Sequence, residues 1–281
     1  MVIAVTGHRG FLGGAIARRL AEAGWDVTGL GRPEVEIPSN AFDDALDRLR
    51  PDVVVHAAGP ASVPASFEDP AADHAGSVDV LRALVERLGD ARLVYLSSAA
   101  VYGQPAWLPV GEAAPLQPMS PYGRHRAECE RLLADAGARA TVLRIFSAYG
   151  EGLRRQVLWD ICRQARHGAV ELAGDGGESR DFVHASDVAA AVAAAVRRAE
   201  FAGEAFNVAS GVETTIAELA RLLVAALGAE SEIRFTGQAR AGDPRRWRGD
   251  VTRAAARLGY RPAVSIEEGA GRYASWFARA S

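Results

Sequence analysis

The stretch Val2-Ile-Ala-Val-Thr-Gly-His-Arg-Gly-Phe-Leu-Gly13 is the strongest indicator of the fold, because three glycines join a β-branched run to a helix-like segment. Gly7, Gly10 and Gly13 are three residues apart, a spacing that lets the backbone turn sharply after a strand. The helix N-terminus behind such a turn offers free N–H groups and the positive end of a dipole, which suit a pyrophosphate. The stretch therefore predicts a dinucleotide-binding strand–turn–helix, with a tight turn that binds no ligand as the alternative.

Outward from this stretch, short β-branched runs alternate with alanine- and leucine-rich segments at helical spacing. Strands are predicted at 2–6, 26–30, 52–56, 92–97, 140–146 and 205–208, and helices at 11–23, 39–49, 72–87, 120–136, 154–167, 187–198 and 215–227. This order predicts an α/β protein with a doubly wound parallel Rossmann sheet and a smaller, discontinuous α/β substrate domain. We expect the dinucleotide-binding domain to comprise residues 1–147 plus about 183–208, and the substrate domain about 148–182 plus 209–281.

The composition excludes several classes of protein. The chain has 281 residues and a net charge of -3, so no global basic field indicates nucleic acid. Two cysteines, Cys129 and Cys162, are too few for a metal cluster or a disulfide framework. The longest apolar run, 188–196, is far shorter than the roughly 20 residues that span a bilayer. All 32 residues of the Lys+Arg count are arginine. We expect a soluble cytoplasmic protein that binds neither nucleic acid nor membrane.

Further motifs occur in a fixed order along the chain. They are His56-Ala-Ala-Gly59, Leu96-Ser-Ser-Ala-Ala-Val-Tyr-Gly103, Ser120-Pro-Tyr-Gly-Arg-His-Arg126, Arg144-Ile-Phe-Ser-Ala-Tyr-Gly150, Arg180-Asp-Phe-Val-His184 and Arg240-Ala-Gly-Asp-Pro-Arg-Arg246 followed by Asp250. Together with the GxxGxxG spacing, they resemble the extended short-chain dehydrogenase/reductase family, of the NAD-dependent epimerase/dehydratase type. The resemblance runs nearly end to end and is strongest to the branch that modifies nucleotide sugars.

The resemblance implies a catalytic set of Ser98, Tyr122 and Arg126. In the family a tyrosine exchanges a proton with the substrate oxygen, a serine hydrogen-bonds that oxygen, and a lysine holds the nicotinamide ribose and favours the tyrosinate. This chain departs from the pattern at Arg126, which takes the lysine position four residues after Tyr122. Arginine keeps the charge but cannot release a proton. Activity is therefore expected to be retained if the family's lysine acts through its charge. It is expected to be largely lost if that lysine must transfer a proton.

The same resemblance implies a cofactor site. Its expected residues are Gly7, Arg9, Gly10, Phe11, Leu12, Gly13, Arg32, Ala57, Ala58, Tyr122 and Arg126. At the end of the second strand a carboxylate would favour NAD, whereas arginine can accept the 2′-phosphate of NADP. Arg32 occupies that point and Arg9 lies inside the glycine loop, so NADP(H) is favoured over NAD(H). The alternative is that Arg32 is a solvated surface residue and Glu34 or Glu36 binds the ribose.

A nucleotide-sugar substrate would need guanidinium groups for its diphosphate. The residues that match the family's substrate positions are Ser98, Ala100, Ser147, Arg180, Arg245 and Arg246. Ser147 replaces the family's usual asparagine, which puts one contact in doubt. The stretch 240–248 could instead be an exposed basic loop, and Trp247 could either stack on a base or plug the domain interface.

The two residues directly after Ser98 narrow the reaction. The family's dehydratases and decarboxylases carry an acidic residue there, and its double epimerases a cysteine, whereas this chain has Ala99 and Ala100. The prediction is a nucleotide-sugar 4-ketoreductase or 4-epimerase. The alternatives are a reductase of a non-nucleotide ketone and a cofactor-binding scaffold with catalysis weakened at Arg126. A homodimer through helices near 72–88 and 120–136 is a further expectation.

Overall fold

The computed structural model of the chain describes residues 1–32 and 36–280. Six parallel strands form the central sheet in the order β10-β5-β4-β3-β1-β2. These strands are β1 (Val2–Thr6), β2 (Asp26–Leu30), β3 (Val53–His56), β4 (Arg92–Ser98), β5 (Ala140–Ile145) and β10 (Ala205–Val208). The predicted doubly wound parallel sheet is confirmed, and each of the six predicted strands is present to within one residue at each end.

Helices cover both faces of this sheet, as a doubly wound fold requires. On one face α1 (Phe11–Glu22) packs against α8 (Ala185–Arg198), and α10 (Thr252–Leu258) adds Ala254 and Leu258 to the same core. On the other face lie α2 (Asn40–Leu49), α5 (Val80–Arg87) and α6 (Pro121–Asp135). Each helix turns its apolar residues to the sheet, and two apolar cores result.

The predicted helix over 72–87 is present as one helical run that contains a π-helical turn. The run consists of α4 (Pro70–His74), the π-helical turn (Ala75–Asp79) and α5, and the short helix α3 (Val63–Glu68), which was not predicted, precedes it. Side-chain caps start α3 and α4: the Ser62 hydroxyl accepts from the N–H of Ala65, and the Asp69 carboxylate accepts from that of Ala72.

A third core belongs to the second half of the chain. It is formed mainly by α7 (Gln156–Ala165), α9 (Ile216–Ala226) and α11 (Ile266–Ala280). Three two-stranded sheets accompany these helices: β6 (Ser147–Tyr149) with β9 (Phe182–His184), β7 (Ala169–Leu172) with β12 (Glu232–Phe235), and β8 (Ser179–Arg180) with β11 (Thr214–Thr215). The smaller α/β unit agrees with the predicted fold class, while the domain boundaries near 147, 183 and 208 stay a prediction. No helix of the described residues is long and apolar enough to cross a membrane.

Candidate active site

The glycine loop lies between the carboxyl end of β1 and the start of α1. Gly7 has φ +68°, and a Cβ there would stand 2.8 Å from the Ala58 backbone. A Cβ on Gly13 would stand 2.1 Å from the Gly7 carbonyl oxygen. The loop therefore accepts glycine alone at these two positions. Gly10 precedes α1 and has no side chain to cap it, which leaves the first-turn N–H groups for a ligand. This cradle fits a dinucleotide pyrophosphate.

The strand next to β1 brings its own loop to the same edge. Ala57 and Ala58 come directly after β3, and the Ala58 N–H donates to the Thr6 hydroxyl at 3.4 Å. That hydroxyl also meets the Nδ1 of His56 at 2.8 Å. The small, half-buried alanines leave room beside the glycine loop, where the family resemblance predicts that they contact the cofactor.

The remaining cofactor candidates are distributed around this loop. Phe11 packs against the third core and Leu12 against the core under α1 and α8. Arg9 is exposed, and Arg32 is 80% exposed with its Nη2 2.6 Å from Glu36 Oε1. The alternative ribose ligand Glu34 lies outside the described residues, whereas Glu36 is engaged by Arg32. Sequence reasoning missed His8, whose ring lies against Gly29 and whose buried Nδ1 has no hydrogen-bond partner among the described residues.

Ser98 ends β4 and begins a short 3-10 helix, Ala99–Tyr102. Its hydroxyl accepts from the Ala100 N–H at 3.2 Å, which fixes the side chain at the sheet's carboxyl edge. A Cβ on Gly123 would stand 2.6 Å from the Ala100 carbonyl oxygen, so α6 approaches this turn closely. Glycine after Tyr122 thus lets the helix bearing the predicted proton donor lie against the Ser98 turn.

The first turn of α6 carries Tyr122 and is fixed by two serines. The Ser120 hydroxyl caps the helix by accepting from Gly123 N–H at 3.1 Å. The Ser66 hydroxyl of α3 accepts from the Tyr122 N–H at 3.1 Å. Tyr122 itself is half-buried. Ser66 is a contributor that sequence reasoning missed, because it lies 56 residues away.

Arg126 lies one turn after Tyr122 and is only 5% exposed. Its Nη1 donates to the Tyr95 hydroxyl at 3.0 Å and its Nη2 to the Pro60 carbonyl oxygen at 2.5 Å. The centre of the guanidinium lies 5.1 Å from the centroid of the Tyr122 ring, within cation–π distance. The residue at the family's lysine position therefore directs its charge at the predicted proton donor.

No carboxylate among the described residues forms an ion pair with Arg126, and its buried Nε has no hydrogen-bond partner there. The neighbouring groups are neutral. Burial raises the pKa of Tyr95 well above its usual value, although the charge of Arg126 opposes this. Burial, helped by Arg126, lowers the pKa of His56 to about 3. A buried cation without a counterion favours an anion placed beside it.

A second arginine, Arg144, lies on β5 in register with Ser97, and all three of its guanidinium nitrogens have partners. Its Nη2 lies 2.7 Å from Glu130 Oε2, and its Nη1 donates to the Tyr102 hydroxyl at 2.9 Å. The Tyr102 hydroxyl donates to Asn207 Oδ1 at 2.7 Å. This network joins α6, β5 and β10 under the 3-10 helix, and Glu130 and Asn207 were not among the predicted site residues.

The predicted substrate arginines already have protein partners. Arg180 is buried and reaches the Pro244 carbonyl oxygen at 2.8 Å and the Asp243 carboxylate at 3.1 Å. The exposed Arg245 pairs with Asp175 and Glu178, and the exposed Arg246 pairs with Glu213. Hydrogen bonding from Arg246 lowers the pKa of Glu213. A diphosphate would therefore compete with carboxylates for Arg245 and Arg246.

A cavity of about 290 Å³ lies beside Arg246, and its lining includes residues that sequence reasoning missed. It is lined by Gln104, Pro105, Ala106, Trp107, Leu108, Glu213, Arg246 and Arg248. Trp107 is 69% exposed. Trp247, by contrast, donates from Nε1 to the Gly103 carbonyl oxygen at 2.9 Å and packs on Phe146. Its ring therefore packs between the segment that follows β4 and the loop that carries Trp247 itself.

Two other substrate candidates lie at strand ends. Ala100 is buried in the 3-10 helix, and Ser147 is half-buried at the start of β6, where its N–H donates to the Asp181 carbonyl oxygen. The structure thus brings the glycine loop, the Ala57–Ala58 loop, Ser98, Tyr122 and Arg126 to one edge of the sheet. The exposed Arg245 and Arg246 lie in the second half of the chain.

Known proteins resemble this chain in both sequence and fold. Residues 3–209 match the model of the NAD-dependent epimerase/dehydratase family. A putative UDP-glucose 4-epimerase of Methanocaldococcus jannaschii is 30% identical over 98% of both chains. The GDP-6-deoxy-D-mannose reductase of Pseudomonas aeruginosa is 32% identical over 94% of this chain and 93% of its own. A solved structure, that of RMD from Pseudomonas aeruginosa complexed with NADPH, matches at a TM-score of 0.84 and 32% identity over 99% of both chains.

Proposed function

Because this chain belongs to the NAD-dependent epimerase/dehydratase family, we propose that it catalyses oxidoreduction at C4 of a nucleotide sugar, as a 4-ketoreductase or a 4-epimerase. The observation that carries the proposal is the buried Arg126, whose charge lies beside the Tyr122 ring without a carboxylate partner among the described residues. Such a charge costs stability unless an anion uses it. A tyrosinate formed at Tyr122 is the anion that this reaction requires.

A nicotinamide dinucleotide, when bound, supplies the hydride acceptor or donor. The chain's own residues would hold it: the glycine loop receives the pyrophosphate, while Ala57 and Ala58 leave space beside it. Gly7 and Gly13 are the positions where a Cβ would close this cradle. The first-turn N–H groups of α1 would then bind phosphate oxygens.

Tyr122 and Ser98 would manage the proton at the substrate oxygen. In the reducing direction the Tyr122 hydroxyl gives its proton to the oxygen, and in the oxidising direction the tyrosinate takes it back. The Ser98 hydroxyl, fixed at the end of β4, donates a hydrogen bond to the same oxygen. Arg126 remains protonated throughout and stabilises the tyrosinate. Its role is therefore electrostatic and positional, which a guanidinium can fill as well as an ammonium.

NADP(H) is the proposed preference over NAD(H). Arg9 and Arg32 flank the point where the adenine ribose would lie, and guanidinium groups suit a 2′-phosphate. Arg32 is held by Glu36 in an exposed ion pair, which is weak enough to be exchanged for a phosphate. One similar structure holds NADPH and others hold NAD, so the proposed preference depends on the two arginines alone.

The diphosphate of the substrate would bind Arg180, Arg245 and Arg246. Arg180 is buried and positioned by backbone carbonyl oxygens, so it is the pre-organised member. Arg245 and Arg246 would exchange their present carboxylate partners for phosphate oxygens. Ala99 and Ala100 place no carboxylate after Ser98, which favours reduction or epimerisation over dehydration.

A scaffold that binds cofactor without catalysis is the second candidate, favoured only by the lysine-to-arginine departure. The deciding experiment incubates purified protein with NADPH, NADH or NAD⁺ and a panel of nucleotide sugars and their 4-keto forms, and identifies products by mass spectrometry. Turnover that Tyr122→Phe abolishes would support the enzyme. Cofactor binding without any product across the panel would support the scaffold.

A further inference from the structure

We infer that Tyr95 is a positioning residue of this site, whose hydroxyl holds the Arg126 guanidinium against the Tyr122 ring. The inference rests on the proposed function, because it concerns the residue at the family's lysine position. Tyr95 was not among the residues selected from the sequence. It lies in the middle of β4, is fully buried and has an apolar ring that the core alone would explain.

The two terminal nitrogens of Arg126 have different anchors. Nη1 bonds the Tyr95 hydroxyl at 3.0 Å and Nη2 the Pro60 carbonyl oxygen at 2.5 Å. A guanidinium is planar, so two anchors on different elements fix both its position and its orientation. Without the Tyr95 hydroxyl, one anchor remains and the plane can rotate about it. A lysine would present a single nitrogen and would have no plane to orient.

The sheet fixes the Tyr95 hydroxyl in turn. Thr6, His56 and Tyr95 lie in register across β1, β3 and β4, so their side chains share one face of the sheet. The His56 and Tyr95 rings stack with centroids 6.0 Å apart and planes 17° apart. The His56 Nδ1 is tied to the Thr6 hydroxyl, directly before the glycine loop. This row links the cofactor loop to the arginine beside Tyr122.

The Tyr95 hydroxyl positions the charge without neutralising it. The titratable and polar groups around Arg126 are the phenols of Tyr95 and Tyr122, the Pro60 carbonyl, the thiol of Cys129 and the ring of His56. Burial raises the pKa of Cys129 as well, so the thiol stays neutral. Removing the Tyr95 hydroxyl therefore changes where the charge lies and leaves its magnitude intact.

The test measures NADPH affinity by fluorescence titration in four proteins: wild type, Tyr95→Phe, Arg126→Met and the double variant. We expect Tyr95→Phe to weaken binding roughly five- to tenfold, the net size of an ordinary intramolecular hydrogen bond. Arg126→Met should weaken it further, and the double variant should match Arg126→Met within about twofold, because a positioning residue has no effect once its target is gone. If the double variant lost affinity by the product of the two single-variant factors, the two side chains would act independently and the inference would be overturned.

Two controls separate positioning from packing. Tyr260→Phe removes another buried phenol hydroxyl, one that donates to the Ala209 carbonyl oxygen at 2.9 Å, and should leave NADPH affinity at the wild-type value. Cys129→Ala shortens a buried side chain in the same core as Tyr95 and should also leave NADPH affinity unchanged. Loss of affinity in Cys129→Ala equal to that in Tyr95→Phe would mean that core packing, not the hydroxyl, is responsible.

The same variants give a second readout where turnover is measurable. Tyr95→Phe should lower kcat and shift the pH–rate profile in the same direction as Arg126→Met, by a smaller amount. A Tyr95→Phe profile identical to that of wild type would contradict the inference. Because the titrations need no substrate, they test Tyr95 even if no nucleotide sugar is turned over, and the two proposals fail separately.

Discussion

The guanidinium of Arg144 lies against the carboxylate of Glu130 inside the protein, with Nη2 2.7 Å from Oε2. Both side chains are less than one-tenth exposed. The pair links β5 to α6, the helix that carries Tyr122 and Arg126. Arg144 is thus the counterpart of Arg126: one buried arginine is paired and structural, and the other lacks a carboxylate partner among the described residues.

We expect Arg144→Met to destabilise the protein by about 3–5 kcal/mol, because it leaves the Glu130 carboxylate buried without its cation. Glu130→Leu in the same chain should restore part of the loss, since an apolar pair of similar volume needs no counterion. Denaturant unfolding of both variants measures this. If the double variant were less stable than Arg144→Met, the paired charges would not be the source of the effect.

Tyr122→Phe should lower kcat by about 10²–10⁴-fold, while the affinity for NADPH changes little. The phenol is needed to transfer the proton, whereas the ring alone fills the space and keeps its contact with Arg126. Steady-state kinetics measure the loss of turnover, and fluorescence titration of the same preparation measures the affinity for NADPH. Unimpaired turnover would place the proton donor elsewhere.

Arg126→Lys should keep the fold and measurable turnover, because it retains a buried positive charge one turn from Tyr122. Arg126→Met should lose far more, since the tyrosinate then lacks its stabilising neighbour, and the limb of the pH–rate profile that reports the proton donor should move to higher pH. The profiles of the three proteins are compared. Equal rates and equal limbs for methionine and wild type would show that Arg126 plays no part in catalysis.

Wild-type protein should bind NADPH more tightly than NADH, and Arg32→Ala should narrow the difference. Glu36→Gln is the matched variant: it releases Arg32 from its 2.6 Å ion pair and should widen the preference. The dissociation constants of NADPH and NADH, measured for wild type, Arg32→Ala and Glu36→Gln, test this preference. Equal constants in the wild type would contradict the preference.

His56 should make the stability depend on pH below neutrality. Its pKa is about 3 in the folded protein, because burial penalises the charged ring, against about 6.5 when unfolded. The unfolded chain therefore binds a proton that the folded one does not. The free energy of unfolding should fall as pH drops below about 6.5, by up to roughly 1.4 kcal/mol per pH unit.

Denaturant unfolding at pH 7 and pH 5, in wild type and in histidine variants, measures this contribution. His56→Asn should reduce the pH dependence without removing it, because the amide does not titrate but burial also lowers the pKa of His184. His167→Gln, at an exposed histidine, should leave the dependence as in wild type. A slope unchanged in His56→Asn would show that other groups take up the proton.

Local sequence patterns were enough to predict the strands of the parallel sheet, the glycine loop and the Tyr122–Arg126 pair. Each of these depends on residues that are close in the chain: the β-branched run before Gly7, the glycine spacing to Gly13, and the four-residue step from Tyr122 to Arg126. The short helix α3, which begins after the Ser62 cap, and the π-helical turn inside the predicted helix over 72–87 were not predicted, because apolar periodicity registers neither a cap nor a π-helical turn.

The surroundings of Arg126, by contrast, could be known only from the folded chain. Its partners Tyr95 and Pro60 lie 31 and 66 residues away in the chain, and the order β3-β4 in the sheet brings them together. The same holds for Ser66 under Tyr122 and for the carboxylates that occupy Arg245 and Arg246. The sequence alone shows which side chains can carry a charge. Whether that charge is neutralised by a partner or available to a ligand depends on burial and on the groups that the folded chain places around it.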